Sequence, residues 1–407
     1  MNYLWGLVGI LTVLGIAFLL SSNKKKINIR TILTALLIQI AFAFIVLKWP
    51  LGRAVLQKVT DGVNAVIGYA NEGIDFLVGG LYTPESGVTY VFLFNVLGII
   101  IFFSALISVL YYIGVMQLIV KYIGGALSKL LGTKKAESFS ATANIFVGFT
   151  EAPLVIKPYL SKMTQSELFA VMVCGLASVS GSVLVGYSLL GVPLEYLLAA
   201  SLMSAPAGLL LAKMMVPETE VSQEDEDDLE IAKDEEAVNV IDAAANGAST
   251  GLQLALNVGA MLLAFIALIA LINGILGLVG GWFGFDQLSL ELILSYIFAP
   301  LAFLIGVPWD EALMAGNFIG QKLIINEFVA YTSFAPEIAN LSDKTVTIIS
   351  FALCGFANLS SLGILLGGLG KLAPNRRPDI AKMGVKAILA GALASCLSAA
   401  IAGMIVG

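Results

Sequence analysis

Cys174-Gly-Leu-Ala-Ser-Val-Ser-Gly181 returns 180 residues later as Cys354-Gly-Phe-Ala-Asn-Leu-Ser-Ser361. Cysteine, glycine, alanine and serine recur at the same offsets. A lone acidic residue in apolar surroundings precedes each copy: Glu151 in Gly-Phe-Thr-Glu-Ala-Pro and Glu327 in Ile-Asn-Glu-Phe. Further upstream, Asn144-Ile-Phe-Val-Gly148 echoes Asn317-Phe-Ile-Gly320. Three features repeated in one order indicate a duplicated unit. Internal symmetry combined with broken hydrophobic segments is characteristic of secondary transporters.

The surroundings of both copies belong in a bilayer. Hydrophobic residues make up 58% of the 407 and charged ones only 12%, and apolar runs long enough to span recur throughout. A hydrocarbon core asks for about 20 such residues per helix. Met1 to Leu20 has no basic stretch before its apolar run, and Lys24 to Lys26 follow it, so it reads as a retained first span rather than a removable signal. Cys174, Cys354 and Cys396 all sit in apolar segments and read as buried structural thiols. There is no histidine, which excludes His-ligated metal, Ser-His or Cys-His catalysis and a histidine proton relay. No basic, aromatic-interleaved surface suggests nucleic-acid binding.

The hydropathy pattern predicts an all-α integral membrane protein. Eight spans fall near 3–20, 31–49, 92–120, 166–190, 194–215, 250–280, 345–369 and 383–406. Residues 51–90, where Asp61, Glu72, Asp75 and Glu85 punctuate apolar patches and Gly79-Gly80 and Pro84 break them, read as interfacial amphipathic helices. Two re-entrant hairpins are expected at about 137–162 and 308–336, because Gly148, Pro153, Pro158, Pro308, Gly316 and Gly320 interrupt otherwise apolar sequence. Non-helical backbone at that depth survives only where protein buries it or it lines a wet cavity. Lys24, Lys25, Lys26 and Arg30, then Lys129, Lys134 and Lys135, then Lys371 to Lys386 all fall on one side of an eight-span chain, which the positive-inside bias makes cytoplasmic. Both termini then face outward. Glu218 to Asp242 holds twelve acidic residues against Lys233 alone and reads as a solvated cytoplasmic linker.

Glu151 and Glu327 are the first candidates for chemistry. A carboxylate within a membrane segment must pair, face a cavity or bind something. Helix N-terminal amides or a lysine such as Lys157 or Lys322 are the bland alternative. Equivalent positions in two repeats favour convergence on one midplane site. Among the polar residues of the octapeptide, Ser178, Ser180, Ser360 and Ser361 can bond back to their own helices. Asn358 is harder to satisfy, with two donors and an acceptor on its amide. Glycines beside the breaks would let a helix unwind and expose carbonyls to a cation. Asn144, the Val147 carbonyl, the Ser178 hydroxyl and the Val179 carbonyl are plausible oxygen ligands. Gly367-Gly368-Leu-Gly370 lacks the strand and the Gly-Lys-Ser/Thr ending of a phosphate loop and reads as a helix end.

Gly148-Phe-Thr-Glu-Ala-Pro-Leu154, Asn326-Glu-Phe-Val-Ala-Tyr331 and Gly355-Phe-Ala-Asn-Leu-Ser-Ser361 resemble the concentrative nucleoside transporters, in their bacterial sodium-coupled branch. The resemblance extends through Phe103-Ser-Ala-Leu-Ile-Ser-Val-Leu-Tyr-Tyr112, Lys162-Met-Thr-Gln-Ser-Glu-Leu-Phe-Ala170 and Asn239-Val-Ile-Asp-Ala-Ala-Ala245, nearly the whole chain. It implies a homotrimer in the inner-membrane bilayer, eight transmembrane helices with two hairpins in an inverted repeat, and a transport domain that moves as an elevator against a scaffold. Scaffold and interfacial helices would occupy 1–136, the first transport repeat 137–215, the acidic linker 216–249, a scaffold helix and connection 250–305, and the second transport repeat 306–407. By the same resemblance Gly148, Thr150 and Glu151 face the nucleobase, with Val183 flanking it. Glu327, Asn358 and Ser361 receive the ribose, with Phe356 close by. Asn144, Val147, Ser178 and Val179 match the family's ligands for the co-transported Na+.

At one position the chain departs from this pattern. Many relatives carry Gln where Phe149 stands, and Phe cannot hydrogen-bond a base; it can stack on one or pack in the hairpin tip. A shift toward purines or broad selectivity is the corresponding expectation. The reading is a sodium-coupled nucleoside symporter, not an enzyme. Its alternatives are a proton-coupled carrier, a channel with rings of like residues along a path, and a membrane-embedded enzyme, for which no nucleophile or metal cluster accompanies the glutamates.

Overall fold

Apolar helices with polar breaks build the whole molecule, and the breaks determine where its two repeats meet. The computed structural model describes residues 2–82, 88, 91–222, 237–285 and 287–407. Most of the acidic linker, together with Pro84 and Glu85, lies outside the described residues. The N-terminal part comprises α1 (Asn2–Leu19), α2 (Ile29–Leu47), α3 (Pro50–Val78), α4 (Phe92–Asn95), α5 (Leu97–Tyr112) and α6 (Val115–Leu131). The first repeat comes next as α7 (Lys135–Ala143), α8 (Gln165–Ala177), α9 (Gly181–Leu189) and α10 (Leu194–Met215). Then come α11 (Val240–Trp282), α12 (Leu290–Leu304), α13 (Trp309–Ile324), α14 (Glu327–Phe334), α15 (Asp343–Leu353), α16 (Ser361–Leu372) and α17 (Arg377–Val406).

Six of the described helical runs are long and apolar enough to cross a membrane, and seven if the bent pair α12–α13 is one span. With α1, a shorter apolar helix, and the halves α15 and α16, every expected span corresponds to helix. Three boundaries differ from expectation. The 92–120 run is not continuous, because Gly114 takes φ +86° between α5 and α6, a conformation that ends a helix and that glycine adopts without penalty. Residues 51–78 form a single helix rather than several short ones, started by Pro50 in its first turn. The helix expected over 250–280 begins ten residues earlier, where the Asn239 side chain accepts from the Ile241 and Asp242 amides.

Both octapeptides are helix breaks. The first separates α8 from α9 at Ser178–Ser180, and the second separates α15 from α16 at Cys354–Ser360. Both hairpins fall over the expected residues, but the second does not break at Gly316 or Gly320: these lie inside α13, where the missing side chains let it pack closely on Ala299 and Leu294 of α12. The first consists of α7, an irregular tip and two 3-10 turns over Ala152–Ile156 and Leu160–Lys162. The second is α13 and α14, which meet at Ile325-Asn326, and α12 is bent 117° from α13. Thr164 and Glu167 cap α8 reciprocally. At the base of the first hairpin, Lys213 of α10 reaches Glu137 of α7 at 2.7 Å and the Ser166 hydroxyl of α8 at 3.1 Å. A buried ion pair needs such added bonds to offset desolvation, and this one joins three elements of the repeat.

The core is densest around α8, α10, α15 and α17, whose side chains are mostly buried. In contrast, Leu263, Leu271, Leu278 and Trp282 of α11 are exposed, as expected for a helix that meets lipid or another copy rather than water.

Candidate functional site

Glu327 opens α14, where the Asn326 side chain accepts from the Val329 amide at 2.8 Å and caps the helix. This leaves the Glu327 carboxylate at a helix N-terminus, a place that favours negative charge. The side chain is 5% exposed. Its Oε1 accepts from the Tyr187 hydroxyl at 3.0 Å, and its Oε2 accepts from Asn358 Nδ2 at 2.9 Å. Among the described residues no lysine pairs with it. Lys322 instead donates to the Ala352 carbonyl at 2.7 Å and to Ser395 Oγ at 3.1 Å, which ties the buried C-terminal turn of α15 to α17.

Asn358 is the hub of the second break. Its Oδ1 accepts from the Ser361 amide at 2.9 Å, the Ser361 hydroxyl at 3.0 Å and the Ser360 hydroxyl at 2.6 Å. With its acceptor crowded in this way, the amide is held with its nitrogen toward Glu327. The two octapeptides touch directly: the Phe356 amide donates to the Ser178 carbonyl at 3.1 Å. Gly355 permits this approach, since a Cβ there would lie 3.0 Å from the Ala177 carbonyl oxygen, with φ at +157°.

Glu151 and Glu327 line one cavity of about 2410 Å³. The same wall carries Gly148, Phe149 and Thr150 from the first hairpin tip and Phe356, Asn358 and Ser361 from the second break. Thr150 rests on α16, where a Cβ on Gly368 would come 2.8 Å from its Cγ2. Gly368 is therefore needed for that seat and does not simply mark a helix end. Phe149 packs as well as lining: its ring lies 5.4 Å from that of Phe356, and its Cβ is 2.6 Å from where a Gly175 Cβ would stand. Val183 is buried on α9; its neighbour Ser182, not Val183 itself, lines the cavity.

The suggested ion ligands gather around the first break. Asn144 follows α7 and is fully buried; its Nδ2 donates to the Ser140 carbonyl at 2.8 Å, while among the described residues its Oδ1 has no hydrogen-bond partner. An unpaired buried acceptor is costly. That oxygen lies 3.6 Å from a Cβ position on Gly175, three residues before Ser178. The Ser178 hydroxyl donates to the Cys174 carbonyl at 3.0 Å, so its oxygen lone pairs point elsewhere. Val147 lines the cavity, and Val179 lies in the unwound break.

The same sequence matches known families along its length. The family model for the Na+ dependent nucleoside transporter C-terminus matches residues 196–403, that for its N-terminus residues 8–81, and one for nucleoside recognition residues 93–194. The chain belongs to the Na+ dependent nucleoside transporters. The nucleoside permease NupC of Helicobacter pylori is 52% identical over 413 residues, 99% of this chain and 98% of the permease. The uncharacterized transporter YutK of Bacillus subtilis is 60% identical over 406 residues, all of both chains. A solved structure of CNTnw in an inward-facing substrate-bound state superposes with a TM-score of 0.94 at 57% identity, covering 100% of this chain and 98% of that one. The protein is thus a multi-pass membrane nucleoside transporter and not an enzyme.

Within this transporter the sequence reading missed Tyr187. It is buried, donates to Glu327 and stacks on Tyr331 with centroids 4.4 Å apart. Its only sequence signal is a phenol in an apolar helix, which must find a partner when buried. Tyr111 of α5 also carries no sequence signal of its own; it lines the cavity, and among the described residues its hydroxyl has no hydrogen-bond partner.

Proposed function

We propose that this transporter is a sodium-coupled nucleoside symporter of the bacterial inner membrane, importing nucleosides as Na+ runs down its gradient. The observation that carries the reading is Glu327, a buried carboxylate on the cavity wall whose two oxygens are oriented by Tyr187 and Asn358. Ribose hydroxyls are donors, and a carboxylate accepts them in charge-assisted bonds. Glu151, Gly148 and Thr150 would meet the nucleobase, and Phe149 and Phe356 would supply an apolar face to it. Asn144 Oδ1, buried without a partner, supports a cation at the first break, with the Val147 and Val179 carbonyls and the Ser178 hydroxyl as further ligands. Unwound carbonyls are the usual Na+ ligands in such carriers.

In this reading 137–215 and 306–407 form a transport domain that moves as an elevator against a scaffold of 1–136 and 250–305. The acidic linker 216–249 joins the halves on the cytoplasmic side, the termini face outward, and three copies associate through the scaffold. Proteoliposomes loaded without sodium, at one fixed pH, test the coupling. An inward sodium gradient should drive saturable, uphill uridine or adenosine accumulation. Accumulation driven by a proton gradient in sodium-free buffer would replace this reading with proton coupling through Glu151 or Glu327.

A further inference from the structure

The cavity is larger than one nucleoside needs. Small-molecule sites commonly enclose roughly 300–1,000 Å³, whereas this one reaches about 2410 Å³ and runs from Glu327 to Lys121, Lys135 and Lys157. Residues of α11 supply part of its lining, and that part is not uniformly apolar. Asn246, Thr250, Gln253 and Asn257 all line the cavity. Steps of four, three and four residues keep them within an arc of roughly 60° over a length of about 16 Å, given 3.6 residues per turn and 1.5 Å per residue.

Packing fixes the direction of this stripe. Gly247 and Gly251 lie against Ser108 and Ser104 of α5, so closely that added Cβ atoms would come within 2.6 Å and 2.7 Å of the serine Cβ atoms. With that face of α11 pressed on α5, the amides point into the cavity. Among the described residues none of the four side chains has a protein hydrogen-bond partner. Past Asn257 the cavity-facing positions turn apolar, at Ala260 and Met261. Polar groups in a membrane helix are costly and are usually kept for a function. Three carboxamides offer uncharged donors and acceptors, which suit the edge of a nucleobase and the hydroxyls of a ribose better than they suit an ion.

We propose that Asn246, Thr250, Gln253 and Asn257 form a second nucleoside-contacting surface, along which the nucleoside passes between the Glu327 site and the lysine-bearing mouth. The surface rests on the nucleoside reading of the Glu327 site and extends it. Bonds made one after another to a fixed wall would lower the barrier to release, a step that often limits turnover.

The test replaces Asn246, Gln253 and Asn257 by Leu, singly and together, with Ser at the same positions as the polar control. Equilibrium uridine binding to purified protein reports the Glu327 site, and initial uptake at saturating uridine reports turnover. The triple Leu variant should bind uridine within about twofold of the unaltered protein and turn over at least about tenfold more slowly, the equivalent of three weak hydrogen bonds. Each single Leu variant should slow turnover about two- to fivefold, and Ser should restore most of the loss. Unchanged turnover in the Leu variants overturns the proposal. So does a parallel loss of binding and turnover, which would make the stripe a packing surface. Failure of the unaltered protein to bind uridine would instead remove the nucleoside reading itself.

Discussion

Replacing Glu327 by Gln removes a charge while keeping shape, and the geometry of its two hydrogen bonds sets the consequence. Oε2 accepts from Asn358 Nδ2 at 2.9 Å and Oε1 accepts from the Tyr187 hydroxyl at 3.0 Å. A Gln amide can keep its oxygen on Asn358 and turn its nitrogen to Tyr187, whose hydroxyl can reverse to accept. The fold should therefore survive, and thermal unfolding in detergent should change little. The loss falls on the acceptor for the ribose. A hydrogen bond to a charged group contributes about 1.5–3 kcal/mol, so two hydroxyls lose about 3–6 kcal/mol. That corresponds to a fall in uridine affinity of roughly 10²- to 10⁴-fold. The decisive assay compares uridine with 2′-deoxyuridine and 3′-deoxyuridine in both proteins. The unaltered transporter should discriminate against the deoxy forms, because its buried acceptor is then left unpaired. In Glu327→Gln that discrimination should collapse to within about threefold, as a double-mutant cycle requires when both changes remove one interaction. Normal uridine uptake, or reduced uptake with the ribose-to-deoxyribose ratio intact, would refute the assignment.

Three further outcomes are expected. Asn144→Ala should raise the sodium concentration for half-maximal uridine binding by about tenfold or more, since it removes the buried Oδ1 that lacks a partner; a sodium titration unchanged from the unaltered protein would exclude Asn144 as a ligand. Gly355→Ala places a Cβ 2.8 Å from Ser395 Oγ and 3.0 Å from the Ala177 oxygen at φ +157°; it should cost about 1–3 kcal/mol, read as a fall in thermal stability. Phe149→Gln takes away one partner of the Phe356 ring and adds an amide at the nucleobase side, so the ratio of uridine to adenosine transport should rise. An unchanged ratio would confine Phe149 to packing.

The repeated octapeptides carried the signal of both helix breaks, since glycine, serine and asparagine inside an apolar run allow backbone to leave the helix, although the spans expected over 166–190 and 345–369 ran through them. The first hairpin tip was legible for the same reason at Gly148 and Pro153, whereas in the second Gly316 and Gly320 read as breaks although they serve close packing inside α13, and the turn falls at Ile325-Asn326. Contacts across the fold were not. Nothing near Tyr187 in sequence points to Glu327, 140 residues away. Lys322 offered itself as a counter-ion for that carboxylate, yet it lies against the end of α15. The hydropathy pattern ran through Gly114 because one glycine does not lower the average of an apolar window, although its φ of +86° ends the helix. On α11 the amides read as minor interruptions of an apolar run; only the placement of Gly247 and Gly251 against α5 showed which way they face.

The contact between the two octapeptides gives coupling a physical route. In the symporter reading the first copy holds the ion and the second holds the sugar, so two specialised sites share one junction. The Ser178 carbonyl accepts from the Phe356 amide, and the Phe356 carbonyl in turn accepts from the Asn358 amide at 2.9 Å. Asn358 then donates to Glu327. In that reading a cation that orders the backbone at Ser178 and Val179 would also order the peptide carrying Phe356 and, through the Asn358 backbone bonded to it, the side-chain amide that orients the carboxylate. No long-range motion is needed for this step, since the links are short hydrogen bonds joined through the Phe356 and Asn358 residues themselves. The same chain works in reverse: a ribose that fixes Glu327 and Asn358 fixes the Ser178 carbonyl beside the ion. Ion and nucleoside must then strengthen each other by one common factor. In the symporter reading, duplication followed by divergence at Ser178 and Asn358 would turn a symmetric pair of helix breaks into a coupled pair of binding sites.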